Sequence, residues 1–338
     1  MPAGQSSRFL REVNSLNRES LERNQIPVYV VSAALAVLGG ILAPDAAARL
    51  ELLVTPAIAV LMYAMFLQIP FLELRQGLGS RAFISAVLVA NFVLIPLLVW
   101  VLTRGLSDRP ALLIGALLVL LTPCIDYVVV FTHLGKGDSR LTLAATPILL
   151  LLQLLLLPIY LSVMTGGESG VVIAVAPFVD AFLLLIVAPL LLAVATAGLA
   201  KRSSIVEKWN TGWAWLPVPA MAAVLMVVIG SQIGAIIREI EQLVPVIPVY
   251  IGFMVLAPLI GAITSRMFKL PVAAARAVTF SASTRNSLVV LPLALALPED
   301  MRGIAAAAVI TQTLIELGSE LVYVRAIPAL IKGRSNSR

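Results

Sequence analysis

Side chains able to do chemistry are sparse in this chain, and they gather in three short stretches. The first reads Leu121-Thr122-Pro123-Cys124-Ile125-Asp126-Tyr127, a thiol and a carboxylate directly after a proline. The second reads Thr279-Phe280-Ser281-Ala282-Ser283-Thr284-Arg285-Asn286-Ser287, a polar run around one guanidinium. In the third, Gln312, Glu316 and Glu320 recur every four residues, one face of a helix, with Ser319 and Tyr323 nearby. A thiolate is a soft ligand for thiophilic ions. Carboxylates in low dielectric can carry protons, and a buried guanidinium can meet an anion or balance an acid.

Each group also has a structural reading. Cys124 can be a small apolar filler. Asp126 and Arg285 can form an ion pair that fixes a crossing of their helices, or one of them can be a proton site or the cation that meets substrate. Glu316 and Glu320, one turn apart, repel each other in low dielectric, which favours a proton relay; Glu320 pairing with Arg325 is the alternative. Asp180 is a weaker candidate, and His133 is expected at an interface. An enzyme using Cys124 as nucleophile with Asp126 or His133 is a third reading, not favoured, since a direct dyad with His133 is out of reach. Nine residues of helix place His133 about 13 Å from Cys124 along the axis. With one Cys and one His, a cysteine cluster within the chain is excluded, and neither a conventional zinc or haem site nor any other cofactor is expected. No phosphate-binding loop of the Gly-x-x-x-x-Gly-Lys-Ser/Thr type occurs.

The elements that must hold these groups are apolar. The 338 residues are 60% hydrophobic and 12% charged, against about 25% charged in soluble domains. Apolar blocks of about 20 residues suit a hydrocarbon core of ~30 Å. Ten spans are expected, at 26–43, 52–69, 82–103, 111–134, 141–165, 171–199, 210–236, 244–264, 270–298 and 304–331. The arm at 1–25 is amphipathic, with Phe9, Val13 and Leu16 at helical spacing among Arg8, Arg11, Arg18 and Arg23. It is expected to rest on the inner leaflet, and residues 332–338 form a tail. The first apolar block is a full span after a polar arm, so no cleavable signal is expected.

The net charge of +6 is a topology signal and not a sign of nucleic-acid binding. Seventeen of the 24 Lys and Arg lie in the arm, the even-numbered connections and the C-terminal end, and five in the odd-numbered connections. The remaining two, Arg276 and Arg285, fall inside span 9. The positive-inside rule then places both termini in the cytoplasm.

The halves resemble each other. Pro56-Ala57-Ile58-Ala59-Val60-Leu61-Met62 in span 2 matches Pro219-Ala220-Met221-Ala222-Ala223-Val224-Leu225-Met226 in span 7, and each runs on to a Gln-Ile pair. Repeats at 26–165 (spans 1–5) and 166–331 (spans 6–10) would face opposite ways, because five is odd. The expected fold is an all-α polytopic membrane protein of ten helices in two inverted five-helix repeats. Pro123 should break span 4 and the polar run should break span 9. Two broken helices in matching positions of inverted halves point to a midplane site for a small solute.

Span 4, from Thr122-Pro123-Cys124 to Leu134-Gly135-Lys136-Gly137-Asp138, resembles the signature of the arsenite efflux permeases of the arsenical-resistance-3 type, in the bile acid/sodium symporter superfamily. Leu61 to Ile69 is similar to their second helix, Asn91 and Pro96 fit their third, and Leu314-Ile315-Glu316 resembles their tenth. The resemblance implies crossing broken helices 4 and 9 and arsenite extrusion by proton antiport across the cell (inner) membrane. It assigns Cys124 as the metalloid ligand; the proton candidates, Asp126, which the permeases' motif lacks, Glu316 and by position Glu320, are read from this chain's own residues. The substrate site would comprise Cys124, Asp126, Thr284, Arg285, Asn286 and Ser287. The permeases carry Asn-Asn-Phe-Glu in span 9, where this chain has Thr284-Arg285-Asn286-Ser287, so the acid is missing. Arg285 would then stand as a built-in cation, and Asp126 would supply the lost carboxylate. The second function in view is a sodium- or proton-coupled carrier of a small organic anion, with Arg285 receiving the carboxylate.

Overall fold

A computed structural model describes residues 25–68, 80–125, 127–165, 183–238 and 240–332. Asp126, Asp180 and nearly all of the arm lie outside the described residues. The chain runs through α1 (Gln25–Leu42), α2 (Pro44–Ala48), α3 (Glu51–Phe66), α4 (Arg81–Leu106), α5 (Pro110–Leu120), α6 (Val128–Leu134) and α7 (Ser139–Thr165). It continues through α8 (Ala188–Ala200), α9 (Ser204–Trp213), α10 (Pro217–Arg238), α11 (Ile240–Met267), α12 (Val272–Ser283), α13 (Ser287–Leu295) and α14 (Glu299–Leu330). Among the described residues there is no strand, only one isolated bridge.

Arg81–Leu106, Ser139–Thr165, Pro217–Gly234, Ile240–Met267 and Glu299–Leu330 are long and apolar enough to cross a membrane. Pro27–Leu42, Glu51–Phe66, Pro110–Leu120 and Ala188–Ala200 are shorter apolar helices. Large side chains such as Leu97, Val101, Leu155 and Val163 stand exposed on them, as lipid-facing surface requires. The protein is a multi-pass helical membrane protein.

One expected span begins elsewhere. The sequence predicts one continuous span at 210–236, but Ser204–Trp213 forms its own amphipathic helix, and the apolar helix starts at Pro217. Proline at a first turn gives up an N–H that has no partner there, which makes Pro217 a natural start.

The chain divides into two compact units, Met1–Gln68 with Leu185–Gly234, and Ile69–Leu184 with Ala235–Arg338. In the first, α3 and α8 meet where Tyr63 Oη lies 2.9 Å from Thr196 Oγ1. Trp209 Nε1 donates to that same hydroxyl, and Trp213 packs edge-on against the Tyr63 ring.

The second unit packs around α14, whose run Ala305 to Ile310 is buried. Small residues let backbones close in: a Cβ on Gly115 of α5 would sit 2.6 Å from Ala305 O, and one on Gly261 of α11 would sit 2.6 Å from Thr279 Cα.

Two prolines in these helices strand carbonyls that tyrosines answer. In α4 the turn at Ala90–Leu94 is wide, with Ile95 N–H donating to Ala90 O. Pro96 has no N–H for Phe92 O, and Tyr160 Oη donates to that oxygen at 2.6 Å. Pro258 likewise leaves Met254 O without its helical donor, and Tyr323 Oη takes it. A lone carbonyl in hydrocarbon is costly, and at these two prolines a neighbouring hydroxyl removes that cost.

The Lys136-Gly137-Asp138 motif has a mechanical reason. Lys136 adopts φ 55, and Gly137 N–H returns to Thr132 O, closing α6 with the left-handed turn that ends many helices. Asp138 Oδ1 then accepts from the N–H groups of Arg140 and Leu141, capping α7. Arg276, the cation early in α12, clamps the same corner by donating to Lys136 O and to Ile331 O at the end of α14.

Candidate functional site

Both expected breaks are present, and they touch. After α5 ends at Leu120, residues 121–125 leave the helix, and α6 begins at Val128. Pro123 cannot donate to Val119 O; Thr122 Oγ1 covers that carbonyl at 3.1 Å and Leu118 O at 2.8 Å. Between α12 and α13, Thr284 is extended, and Asn286 caps α13 by accepting from Val289 N–H at 3.2 Å.

Pro123 and Arg285 then face each other in a one-residue antiparallel bridge. Cys124 N–H donates to Thr284 O at 3.1 Å, and Asn286 N–H donates to Thr122 O at 2.9 Å. In this register the bonds come from the flanking residues, so the missing N–H of Pro123 is never needed. Each unwound segment satisfies the other, which is how irregular backbone is held at membrane depth.

Arg285 fills the space beside this bridge and is 0% exposed. Its Nη2 donates to Asn91 Oδ1 at 2.8 Å and to Ser281 O and Ala282 O at 2.7 Å each, and Nη1 reaches Leu120 O at 3.5 Å. Three of these oxygens are carbonyls in the last turns of α5 and α12, the negative ends of two half-helices. The guanidinium carbon also lies 5.5 Å from the centre of the Phe253 ring. Asn91 is fixed in turn, its Nδ2 donating to Val87 O and to Ser281 Oγ. Among the described residues the side chain of Arg285 makes no ion pair. The pairing with Asp126 falls outside the described residues.

The acids of α14 grip the breaks from a third side. Glu316 Oε2 accepts from the backbone N–H of Arg285 at 3.0 Å and from Gln312 Nε2. Tyr127 Oη reaches Glu316 Oε1 and, at 3.0 Å, Arg285 O. One carboxylate therefore holds both breaks. Glu320 does not pair with Arg325; its Oε1 lies 2.6 Å from Thr284 Oγ1, which also reaches Phe280 O at 2.8 Å. The reason is depth: Glu320 is buried on the inner face of α14, while Arg325 is exposed.

Cys124, Thr284, Arg285, Asn286, Ser287, Glu316 and Glu320 are all buried at or beside the crossing. His133 stands apart at the end of α6. Asn91, Tyr127 and Gln312 join the network, although the sequence marks them less clearly. Asn91 is an isolated amide five residues before Pro96, and Gln312 shares the spacing of the acids. Several buried polar atoms have no partner among the described residues: Arg285 Nε, Asn286 Nδ2, Ser287 Oγ, Gln312 Oε1 and Glu320 Oε2. They are hydrogen-bonding capacity that the described residues do not take up.

Apolar helices around a pair of broken, bridged helices with unspent polar atoms define a membrane carrier for a small solute. The family described as the Sodium Bile acid symporter family matches residues 55–239, and the chain belongs to it. That stretch contains the Pro123–Cys124 break and ends before the Arg285 break. Members of the family are transporters and not enzymes. No curated protein matches the chain.

Proposed function

We propose that this carrier exports arsenite or a related trivalent arsenical by alternating access, coupled to proton entry. The observation that carries the reading is the bridge at Pro123 and Arg285, which seats the chain's only thiol, Cys124, at the crossing of the two breaks. A soft metalloid selects sulfur, and a single thiol permits release where three would trap it. Arsenous acid is neutral, which suits a site whose one cation is already surrounded by protein oxygens. The same surroundings weigh against Arg285 as receptor for a carboxylate, because of its three nitrogens only Nε has no partner among the described residues. Held at the carbonyl ends of two half-helices, Arg285 occupies the kind of place a coupling cation would take, which favours protons over sodium. Asp126, Glu316 and Glu320 are the proton candidates, and Thr284, Asn286 and Ser287 the polar contacts to the solute.

The topology proposed with it is ten spans in two inverted halves, 26–165 and 166–331, in the cell (inner) membrane with both termini cytoplasmic. The charge count by connection supports this orientation. In an arsenite-sensitive host lacking its own exporter, Cys124→Ser is expected to remove the resistance that the wild-type chain confers. Full resistance from Cys124→Ser at equal membrane abundance would overturn thiol ligation.

A further inference from the structure

Gln153 sits near the midpoint of α7, about 21 Å from its start at 1.5 Å per residue. It is 1% exposed. Leu151, Leu155 and Ile159 on the outer face of this helix are exposed, whereas Gln153 shares the packed face with Leu149, Leu150 and Leu157. The other polar residues of that face settle their hydrogen bonds within their own stretch of chain. Thr142 Oγ1 donates to Asp138 O, and Thr146 Oγ1 donates to Thr142 O. Gln153 has no such recourse, and neither its Nε2 nor its Oε1 finds a partner among the described residues. A leucine would pack in its place without leaving an amide stranded, so the carboxamide costs stability unless something polar reaches it. Every other such atom in this unit belongs to the crossing at Arg285 or to Gln312 and Glu320 beside it.

We propose that Gln153 lines the solute pathway and determines specificity. Its amide would accept one hydrogen bond from a neutral, hydroxylated solute and donate up to two to it. This deepens the reading of the crossing as the solute site, and it requires a neutral polyhydroxyl guest without requiring arsenic. An amide carries no charge and offers donors and acceptors together, the complement of a hydroxyl group that does the same. A carboxylate, which only accepts, would leave Gln153 Oε1 stranded.

Accessibility tests the placement without a substrate. Cys124→Ala leaves the chain free of cysteine, and Gln153→Cys and Leu157→Cys are then compared in membranes with a charged, water-soluble methanethiosulfonate. Gln153→Cys is expected to react at least about tenfold faster than Leu157→Cys, since only a wetted position presents a thiolate to the reagent. Equal rates would overturn the placement. Specificity is read in the otherwise wild-type chain. Gln153→Leu is expected to raise the KM for arsenite flux about tenfold, the worth of one or two hydrogen bonds, while its melting temperature stays level or rises. An unchanged KM overturns the specificity role, and a lowered melting temperature assigns Gln153 to the scaffold. Absence of arsenite flux in the wild-type chain would count against the arsenic reading alone, and the labelling ratio would still decide whether Gln153 faces the pathway.

Discussion

Arg285→Met is expected to stop solute flux and to lower stability by about 3–5 kcal/mol, the cost of stripping one partner from a buried charged network. Methionine nearly fills the volume of the side chain, so the loss is one of hydrogen bonds and charge. Asn91 Oδ1, Ser281 O and Ala282 O would each lose the donor they now share, and Leu120 O its weaker one. The last turns of α5 and α12 point their negative ends at the same spot, and without the guanidinium they face each other unscreened. Arg285→Lys tests geometry separately from charge. An ammonium is a point donor without the planar fork, so it restores charge but not the spread of contacts, and intermediate stability is expected. Unfolding in a graded detergent or denaturant series reads the stability, and flux in vesicles reads the function. Wild-type stability in Arg285→Met would mean that the oxygens around the guanidinium are satisfied without it.

Glu316→Ala is expected to cost about as much, for a different reason. Three donors converge on this carboxylate: the backbone N–H of Arg285, Tyr127 Oη and Gln312 Nε2. Leaving a buried donor unmade costs about 1–3 kcal/mol. The Tyr127 hydroxyl can turn wholly to Arg285 O, which it already reaches, so that share is partly recovered. The backbone N–H of Arg285 has no such second partner, and the loss should fall on the span 9 break itself. Glu316→Gln keeps the shape and one acceptor, and about half of the stability loss should be spared. If Glu316 carries a coupling proton, Glu316→Gln retains solute exchange but loses proton-driven accumulation. Equal loss of both in Glu316→Gln would make Glu316 a positioning residue that holds the breaks.

Much of this arrangement was legible in the sequence because it was written in side chains that disrupt helices. Pro123 must break an apolar span, and the polar run from Thr279 to Ser287 cannot face lipid, so both interruptions announce themselves. The spacing of Gln312, Glu316 and Glu320 gave the inward face of α14. The bridge between the breaks was not legible, because it is made of backbone atoms whose register depends on how two distant segments cross. The partners of Arg285 are silent for the same reason: three of its four acceptors are carbonyls. The sequence offers Glu320 a partner at Arg325, five residues on in the same helix, while its neighbour in space, Thr284, comes from another element. Gln153 is one amide in a leucine-rich stretch, and only its burial without a partner among the described residues sets it apart. α10 does not start at 210 because Trp213 and Trp215 are apolar in composition only, while Glu207, Lys208 and Asn210 just before them mark a separate helix.

The central claim is that the crossing at Pro123 and Arg285 moves a neutral metalloid against a proton gradient, with Arg285 standing where a coupling ion would be needed. The most direct measurement is arsenite flux in proteoliposomes containing the purified chain, with proton and sodium gradients imposed separately. The account expects arsenite to accumulate on the side from which protons leave, with no response to a sodium gradient of equal size. Accumulation driven by sodium, or flux of an organic anion with none of arsenite, would contradict it.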